Sequence, residues 1–250
     1  MIGAVWRWKL FRIYYPKKLD EYIEISDNKS HKISSVLRMK KGEKINIFDG
    51  KGNSQIMEIE ELSKDKISLR RIYSIVKKQK KQPEVILAIS LIKLSRFEIA
   101  IEKTSELGVS KIIPLITENT NDIFVKRIND NRLDRMKNIS ISASEQCGND
   151  FISEIKSPLT LEQIMSLNDE DTGLVLFYEN LKEIKNNSID IKKFKKIIVL
   201  IGPEGGFSDE EFQNLQNKSI VLSLGEHILR TETAAICAIH EINSLLRITP

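Results

Sequence analysis

Five runs of consecutive apolar residues in the second part of the chain constrain its fold more than any other feature. They lie at Val85–Leu91, Lys111–Ile116, Gly173–Tyr178, Lys196–Ile201 and Ser219–Leu224. Runs without polar alternation are typical of strands that are buried on both faces of a sheet. Because helical segments lie between most of these runs, the pattern predicts an α/β domain built on a parallel sheet.

Helix signals between the runs support this prediction. Ser95 and Glu98 have the spacing of a capping box, and so do Ser208 and Glu211. A last helix is predicted over Thr231–Arg247, where apolar residues recur at the helical period.

The first part of the chain has a different pattern, with shorter runs that are separated by turn residues. A turn is indicated at Asp49–Asn53, and one helical piece at Ser30–Arg38. The pattern predicts a small β-barrel-like domain over residues 1–76, a charged linker over 77–84 and a catalytic domain over 85–250. The predicted strands lie at Ile23–Ile25, Lys44–Phe48, Gln55–Glu60 and Lys66–Ile72.

Charge is distributed unevenly between these parts. Residues 1–84 contain 20 Lys and Arg against 11 Asp and Glu, a net charge of +9, whereas the whole chain carries +4 and residues 85–250 therefore −5. A basic first third predicts docking on a polyanion. The alternative is a lysine-rich composition whose surface charge is merely solvated.

Several classes of protein are excluded by what the sequence lacks. No apolar run approaches the length of a membrane span, and residues 1–15 lack the features of a signal peptide. The first several of these residues are interpreted as an irregular leader that precedes a strand. Cys147 and Cys237 have no Cys or His at metal-ligand spacing, so we expect no metal and a reduced, cytoplasmic setting. Neither a phosphate-binding P-loop nor a dinucleotide fingerprint occurs.

The segment Gly202–Ser208, which reads Gly-Pro-Glu-Gly-Gly-Phe-Ser, is the most informative in the chain. It follows a predicted buried strand and precedes a capped helix, so it lies at the carboxyl edge of the sheet, where open α/β sheets bind ligands. Its glycines allow a ligand to approach the backbone closely. The alternative is a tight strand-to-helix connection without a ligand.

A second segment, Leu224–Ala234, also follows a predicted strand. It puts Gly225 at the end of the strand and Arg230 at the mouth of the last helix. Since both glycine-bearing turns leave the same edge of the sheet, we expect them to form the walls of one cleft.

Together these segments resemble the RsmE family of ribosomal small-subunit RNA uracil-N3 methyltransferases, within the SPOUT superfamily. The resemblance extends over nearly the whole chain and appears in five marks in the same order. The marks are His31 with Val36-Leu37-Arg38, Glu106-Leu107-Gly108-Val109 with Pro114, Glu145-Gln146, the Gly202–Ser208 segment and Leu229–Ala234.

The resemblance implies a PUA-like RNA-binding barrel, a catalytic domain with a C-terminal trefoil knot, a homodimer, S-adenosyl-L-methionine as cofactor, and 16S rRNA within the small ribosomal subunit as substrate. It implies a third wall of the donor pocket in the loop after Phe177-Tyr178, although this sequence departs from the family pattern in that loop. The stretch after Gln146 departs from the family, which often has an arginine there. When the family's cofactor-binding positions are transferred to this chain, the donor pocket is lined by Gly202, Glu204, Gly205 and Gly206. The adenine is held by Leu224, Gly225 and Leu229.

The remaining site residues follow from charge and position. Arg230 is the candidate catalytic residue, because a cation near the uracil carbonyls would stabilise the anion that forms when N3 loses its proton. The alternative is a structural arginine paired with Glu226 or Glu232. Glu204 is expected to brace its loop. The residues expected to contact RNA are Arg12, Arg38, Lys93 and Arg96.

Two other functions stay open at this point. One is an RNA-binding ribosome-assembly factor with a vestigial catalytic domain, which donor binding would distinguish. The other is a SPOUT enzyme that acts on another RNA or another atom, because the shape of the pocket determines which base is accepted.

Overall fold

The computed structural model describes residues 10–26, 28–63, 65–73, 76–79, 83–178 and 191–247. The chain divides into two compact units. The N-terminal unit comprises Met1–Lys80 and Ser144–Ile152, and the C-terminal unit comprises Lys81–Ala143 and Ser153–Pro250. Within the described ranges, no helix is long and apolar enough to span a membrane.

The N-terminal unit is built on a six-stranded mixed sheet in the order β1-β3-β4-β5-β2, with β6 paired to β4. Strands β1 and β3 are parallel and the other pairs are antiparallel. The turn predicted at Asp49–Asn53 connects β3 to β4 and is confirmed. The strands are β1 (Arg12–Tyr14), β2 (Tyr22–Ser26), β3 (Lys44–Phe48), β4 (Asn53–Leu62), β5 (Lys66–Arg71) and β6 (Val76–Lys77).

The helical piece between β2 and β3 is less regular than predicted. Helix α1 (Asn28–His31) continues into a π-helical turn over Lys32–Val36. Arg38 then takes a positive φ of 52°, which ends the helical path. Ile33 points from this turn into the apolar core of the unit, where it is fully buried beside strand residues such as Ile45 and Ile59.

The C-terminal unit contains a seven-stranded sheet in the order β10-β8-β7-β12-β11-β13, with β9 also paired to β8. All pairs are parallel, which confirms the α/β prediction. The strands are β7 (Glu84–Ser90), β8 (Lys111–Ile116), β9 (Glu154–Ile155), β10 (Leu159–Thr160), β11 (Thr172–Phe177), β12 (Lys196–Ile201) and β13 (Ile220–Leu222).

Both faces of this sheet are covered, so its strands are apolar throughout. In β12, Ile197 and Val199 pack on one side with α2 and α7, whereas Ile198 and Leu200 pack on the other side with α5 and α6. A short 3₁₀ turn at Ile191–Lys193 precedes β12. The helices are α2 (Leu94–Glu106), α3 (Asp122–Lys126), α4 (Asp130–Cys147), α5 (Leu161–Met165), α6 (Asp209–Gln216) and α7 (Thr231–Arg247).

One of the two predicted capping boxes is confirmed. Ser208 accepts a hydrogen bond from the Glu211 amide, and the Glu211 carboxylate accepts one from the Ser208 amide, so α6 begins as predicted. The box at Ser95 and Glu98 is wrong, because α2 begins two residues earlier than it requires, with Lys93 at the N-cap position and no side-chain cap. Arg135 instead donates two hydrogen bonds to the Glu98 carboxylate. This bonding is the largest cause of the lowered pKa of Glu98.

Candidate active site

A cavity of about 260 Å³ opens at the carboxyl edge of the C-terminal sheet. Strands β12, β11 and β13 are neighbours and parallel, so their last residues reach the same edge. The turns that follow β12 and β13 line this one cavity, as the sequence predicted. Its lining residues are Phe177, Tyr178, Ile201, Gly202, Pro203, Glu204, Gly206, Phe207, Ser223, Leu224, Gly225, His227, Ile228, Leu229, Arg230, Thr231 and Ala234.

The glycine-rich turn after β12 has a fixed conformation. The Gly206 amide donates a hydrogen bond to the Pro203 carbonyl at 3.0 Å, and Gly206 has a φ of 71°, which favours glycine. A Cβ at Gly202 would lie only 3.0 Å from the Phe207 ring. Glycine at this position therefore lets Phe207 fold back beneath the turn and bury its ring.

The turn after β13 runs from Ser223 to Arg230 and leads directly into α7. The Ser223 hydroxyl accepts a hydrogen bond from the Gly225 amide and donates one to the Gly225 carbonyl, both at 3.2 Å. Gly225 has a φ of 116° and its Cα faces open space. The first turn of α7 closes when the Ala234 amide donates to the Arg230 carbonyl at 2.8 Å.

The walls of the cavity are mostly apolar, with charged groups at a few points. Ile201, Leu224 and Leu229 supply apolar surface, whereas Glu204 and Arg230 are exposed charged residues in the lining. Pockets of this kind bind small molecules that combine a flat apolar part with polar groups.

Glu204 is held by an arginine of α2. Arg96 Nη1 lies 2.8 Å from Glu204 Oε1, and Arg96 Nε lies 3.8 Å from Glu232 Oε1 at the start of α7. Arg96 therefore joins the glycine-rich turn to α7. This ion pair supports a bracing role for Glu204. It also occupies the guanidinium of Arg96, which was expected to contact RNA.

Six of the seven residues predicted to bind the cofactor line the cavity, and Gly205 does not. The Gly205 carbonyl faces Asn119 instead, and a Cβ at Gly205 would lie 3.4 Å from the Asn119 Cβ. The assignment of Gly205 to the pocket wall is therefore corrected. The six are Gly202, Glu204, Gly206, Leu224, Gly225 and Leu229.

Arg230 lies at the mouth of the cavity with an exposed side chain. Of the residues that the structure describes, none forms an ion pair or side-chain hydrogen bond with the Arg230 guanidinium, and this holds for Glu226 and Glu232. The alternative of a structural ion pair therefore finds no support, and the guanidinium is available to a ligand.

The four residues predicted to contact RNA differ in their exposure. Arg38 and Lys93 are exposed, and Arg96 is half-buried. The prediction for Arg12 is wrong. Its side chain is 4% exposed, its Nη2 donates to Asp150 Oδ1 at 2.6 Å, and its guanidinium lies over the Phe48 ring at 4.7 Å from the centroid. A side chain enclosed in this way cannot reach a phosphate from this position.

Asn119 is a site residue that the sequence reading missed. It follows β8 and donates from Nδ2 to the carbonyls of Gly205 at 3.3 Å and Gly206 at 3.1 Å. Its place after a predicted strand, at the same edge as the glycine-rich turn, is the signal that could have identified it. The predicted third wall after Tyr178 lies outside the described residues, and no group of metal-ligating side chains occurs within the described ranges.

Comparison with known proteins relates both units of the chain to RNA methyltransferases. A family model described as an RNA methyltransferase domain matches residues 78–243, and one described as an RNA methyltransferase PUA domain matches residues 25–70. The second match confirms the predicted PUA-like character of the N-terminal unit. The ribosomal RNA small subunit methyltransferase E of Rickettsia conorii is 32% identical, over 95% of this chain and 96% of its own length.

Two solved structures are also similar. A ribosomal RNA small subunit methyltransferase E from Neisseria gonorrhoeae, bound to S-adenosyl methionine, has a TM-score of 0.81 at 27% identity and covers 94% of this chain and 98% of its own. A protein from Legionella pneumophila, solved in complex with the bound cofactor SAM, has a TM-score of 0.80 at 31% identity, with 94% and 97% covered.

Proposed function

Because the chain belongs to the ribosomal RNA small subunit methyltransferase E family, we propose that it transfers a methyl group from S-adenosyl-L-methionine to N3 of a uridine in 16S rRNA. The observation that carries this proposal is the single cavity formed by the turns after β12 and β13. Two of the five marks of the family resemblance, Gly202–Ser208 and Leu229–Ala234, border this cavity.

The residues of the cavity fit the proposed cofactor. Leu224 and Leu229 offer apolar surface to an adenine ring, and the glycines of both turns let backbone groups approach it. S-adenosyl-L-methionine supplies, when bound, a methyl group on a positively charged sulfur. The chain's own contribution is to hold the two reactants in line and to exclude water.

Arg230 is the proposed catalytic residue. The uracil N3 must lose its proton before its lone pair attacks the methyl carbon, and the negative charge of the resulting anion spreads to the flanking carbonyl oxygens until the new bond forms. An arginine at the mouth of the cavity can donate hydrogen bonds to one of these oxygens. Its exposed side chain, which forms no ion pair with a described residue, supports this role.

Glu204 has a different role in this proposal, because its carboxylate is engaged by Arg96 at 2.8 Å. It braces the glycine-rich turn and does not take the proton from uracil. Arg96, which the sequence suggested as an RNA contact, serves in this arrangement to hold the turn and α7 together.

RNA docking is assigned to the exposed Arg38 and Lys93. Lys93 precedes α2 after β7, whose carboxyl end lies at the same edge of the sheet as the cavity. A phosphate bound there would lie at the edge that carries the cavity. Arg38 belongs to the N-terminal unit, which matches a PUA domain of RNA methyltransferases.

We propose that the chain also has three further features that the family resemblance implies. They are a trefoil knot at the carboxyl end of the C-terminal unit, a homodimer and a cytoplasmic location beside the ribosomal substrate. The two resembling segments, Gly202–Ser208 and Leu229–Ala234, support the knot. Ile228, which is 84% exposed beside the cavity, offers an apolar contact to a second copy.

Cofactor binding can be tested with a variant that fills the cavity. Ala234 lines the cavity in the first turn of α7, whereas the neighbouring Thr233 is exposed and does not line it. Calorimetric titration with S-adenosylmethionine should show binding to wild type and to Thr233→Phe, and none to Ala234→Phe. Binding of RNA without any binding of the donor by wild type would favour the assembly-factor alternative and contradict the proposal.

A further inference from the structure

The turn after β8, Glu118–Thr120, forms two hydrogen bonds with the glycine-rich turn and a third with the start of α6. Asn119 Nδ2 donates to the Gly205 and Gly206 carbonyls, and the Glu118 amide donates to Glu211 Oε1 at 2.8 Å. Strand β7 lies between β8 and β12, so these bonds span a strand that does not take part in them. The β8 turn therefore supports the glycine-rich turn independently of the backbone pairing in the sheet.

We infer that Asn119 is a positioning residue that fixes the glycine-rich turn in the conformation that binds the methyl donor. This inference rests on the proposed function, because it concerns the same cavity. Asn119 does not line that cavity, and it acts through Gly206, which does. The residue thus influences donor binding without touching the donor.

The support is itself rigid. The Thr117 amide donates to Thr120 Oγ1 at 2.9 Å, and the Thr120 amide donates to the Thr117 carbonyl at 3.0 Å, so the backbone of the turn is fixed on both sides of Asn119. Glu211 is fixed as well, because its second carboxylate oxygen accepts from the Ser208 amide at 3.0 Å. The glycine-rich turn is therefore held by partners that are already ordered.

Glycine residues make this support necessary. The Gly205-Gly206 pair has more backbone freedom than any other pair of residues, and ordering it when a ligand binds costs entropy. An external donor that binds both carbonyls removes that freedom before the ligand arrives. Such preorganisation strengthens binding without adding a contact to the ligand.

The inference predicts a loss of affinity when the amide is removed. In Asn119→Ala, the dissociation constant for S-adenosylmethionine should rise about 3- to 10-fold, as expected for two exposed hydrogen bonds. The methylation rate at saturating donor should stay near that of wild type, because Asn119 touches neither reactant. Amide hydrogen exchange of a peptide that covers Gly202–Ser208 should become faster in the variant without donor present.

Asn119→Asp and Asn121→Ala sharpen the test. The aspartate has the same shape but puts a carboxylate beside two carbonyl oxygens, so it should weaken donor binding more than alanine does. Asn121 caps α3 by accepting from the Ile123 amide and forms no bond with the glycine-rich turn. Asn121→Ala should therefore leave donor affinity and exchange of the turn unchanged.

The outcomes separate the two proposals. Wild type that binds the donor, with unchanged affinity and exchange in Asn119→Ala, would overturn the positioning role and leave the proposed function intact. Wild type that fails to bind the donor would overturn the proposed function and, with it, the link between the turn and a donor. Equal losses in Asn119→Ala and Asn121→Ala would indicate a general structural defect and overturn the specific role.

Discussion

Arg230 is the residue on which the proposed chemistry depends most directly. Its guanidinium lies at the mouth of the cavity and forms no ion pair with a described residue. In Arg230→Ala, the methylation rate should fall about 100-fold, since removal of one preorganised donor to a developing anion typically has this effect. Single-turnover kinetics with small-subunit rRNA measure this rate.

Donor binding provides the control for Arg230. The dissociation constant for S-adenosylmethionine should change less than about 2-fold in Arg230→Ala, because the interaction is expected only in the transition state. Arg132→Ala, an exposed arginine on α4, should leave both quantities unchanged. A variant of Arg230 that methylates at the wild-type rate would refute the catalytic assignment.

Asp150 carries the clearest pH dependence in the N-terminal unit. Its carboxylate is fully buried and paired with Arg12 at 2.6 Å and Lys78 at 2.7 Å. Burial alone would raise the pKa of Asp150, but the hydrogen bonds from Lys78 and Arg12 outweigh it, so the pKa is lowered. The pairing therefore contributes stability above the unfolded-state pKa of about 4, and this contribution is lost as the pH falls through the folded pKa.

Asp150→Asn should lower the free energy of unfolding by about 3–5 kcal/mol at neutral pH, because it leaves the buried Arg12 charge without its partner. Urea denaturation of wild type and variant at several pH values measures the difference, which should shrink only in acid. The matched control is Asp20→Asn, whose ion pair with Lys18 is exposed and should contribute little. A difference that grows as the pH falls below 4 would contradict the linkage.

For single residues, the sequence predicted the place in the fold better than it predicted burial and bonding partners. Gly202, Gly206 and Arg230 reach the cavity as expected, because each follows a strand whose end could be read from an apolar run. Arg12 could not be assigned correctly, because its partner Asp150 is 138 residues away in the chain. A residue type alone does not reveal whether a distant carboxylate will bury it.

The N-termini of α6 and α2 allow two sequence signals with the same capping-box spacing to be compared. Ser208 forms both bonds of a capping box at α6, whereas α2 has no side-chain cap although Ser95 and Glu98 have the same spacing. Ser208→Ala should lower the free energy of unfolding by about 1 kcal/mol. Ser95→Ala should change it by less than about 0.5 kcal/mol.

Thermal or urea denaturation of these two variants side by side makes this measurement. Ser208→Ala should also weaken donor binding slightly, because the lost hydroxyl holds the Glu211 amide, and the Glu211 carboxylate accepts from the β8 turn. Equal destabilisation by the two substitutions would show that the capping assignment from the structure is wrong.

Elements were predictable where their pattern was continuous. The sequence placed β8, β12 and α7 at their observed bounds, because strands buried on both faces contain unbroken apolar residues and α7 repeats its apolar positions at helical spacing. The π-helical turn after α1 was not predictable, since one extra residue per turn leaves no mark in the apolar pattern. The capping box at α2 failed because the helix begins at Leu94, which puts Ser95 inside the first turn and not at the N-cap position.

Binding of the whole molecule to RNA should depend strongly on salt, because the proposed contacts are to phosphates. In Arg38→Ala, the slope of log affinity against log salt concentration should decrease by about 1. Lys195→Ala is a suitable control, because Lys195 precedes β12 at the opposite edge of the sheet and is paired with Asp171. Filter binding with small-subunit rRNA at several salt concentrations provides these slopes, and identical slopes for all three proteins would remove Arg38 from the interface.

The central claim is that the cavity at Gly202–Phe207 and Leu224–Arg230 holds a methyl donor for a uridine of 16S rRNA. Mass mapping of rRNA from cells with and without the protein, and from cells with the Ala234→Phe variant, tests it most directly. One N3-methyluridine should be present with wild type and absent both without the protein and with Ala234→Phe. An identical methylation pattern in all three, or loss of a methyl group from a different base, would contradict the account.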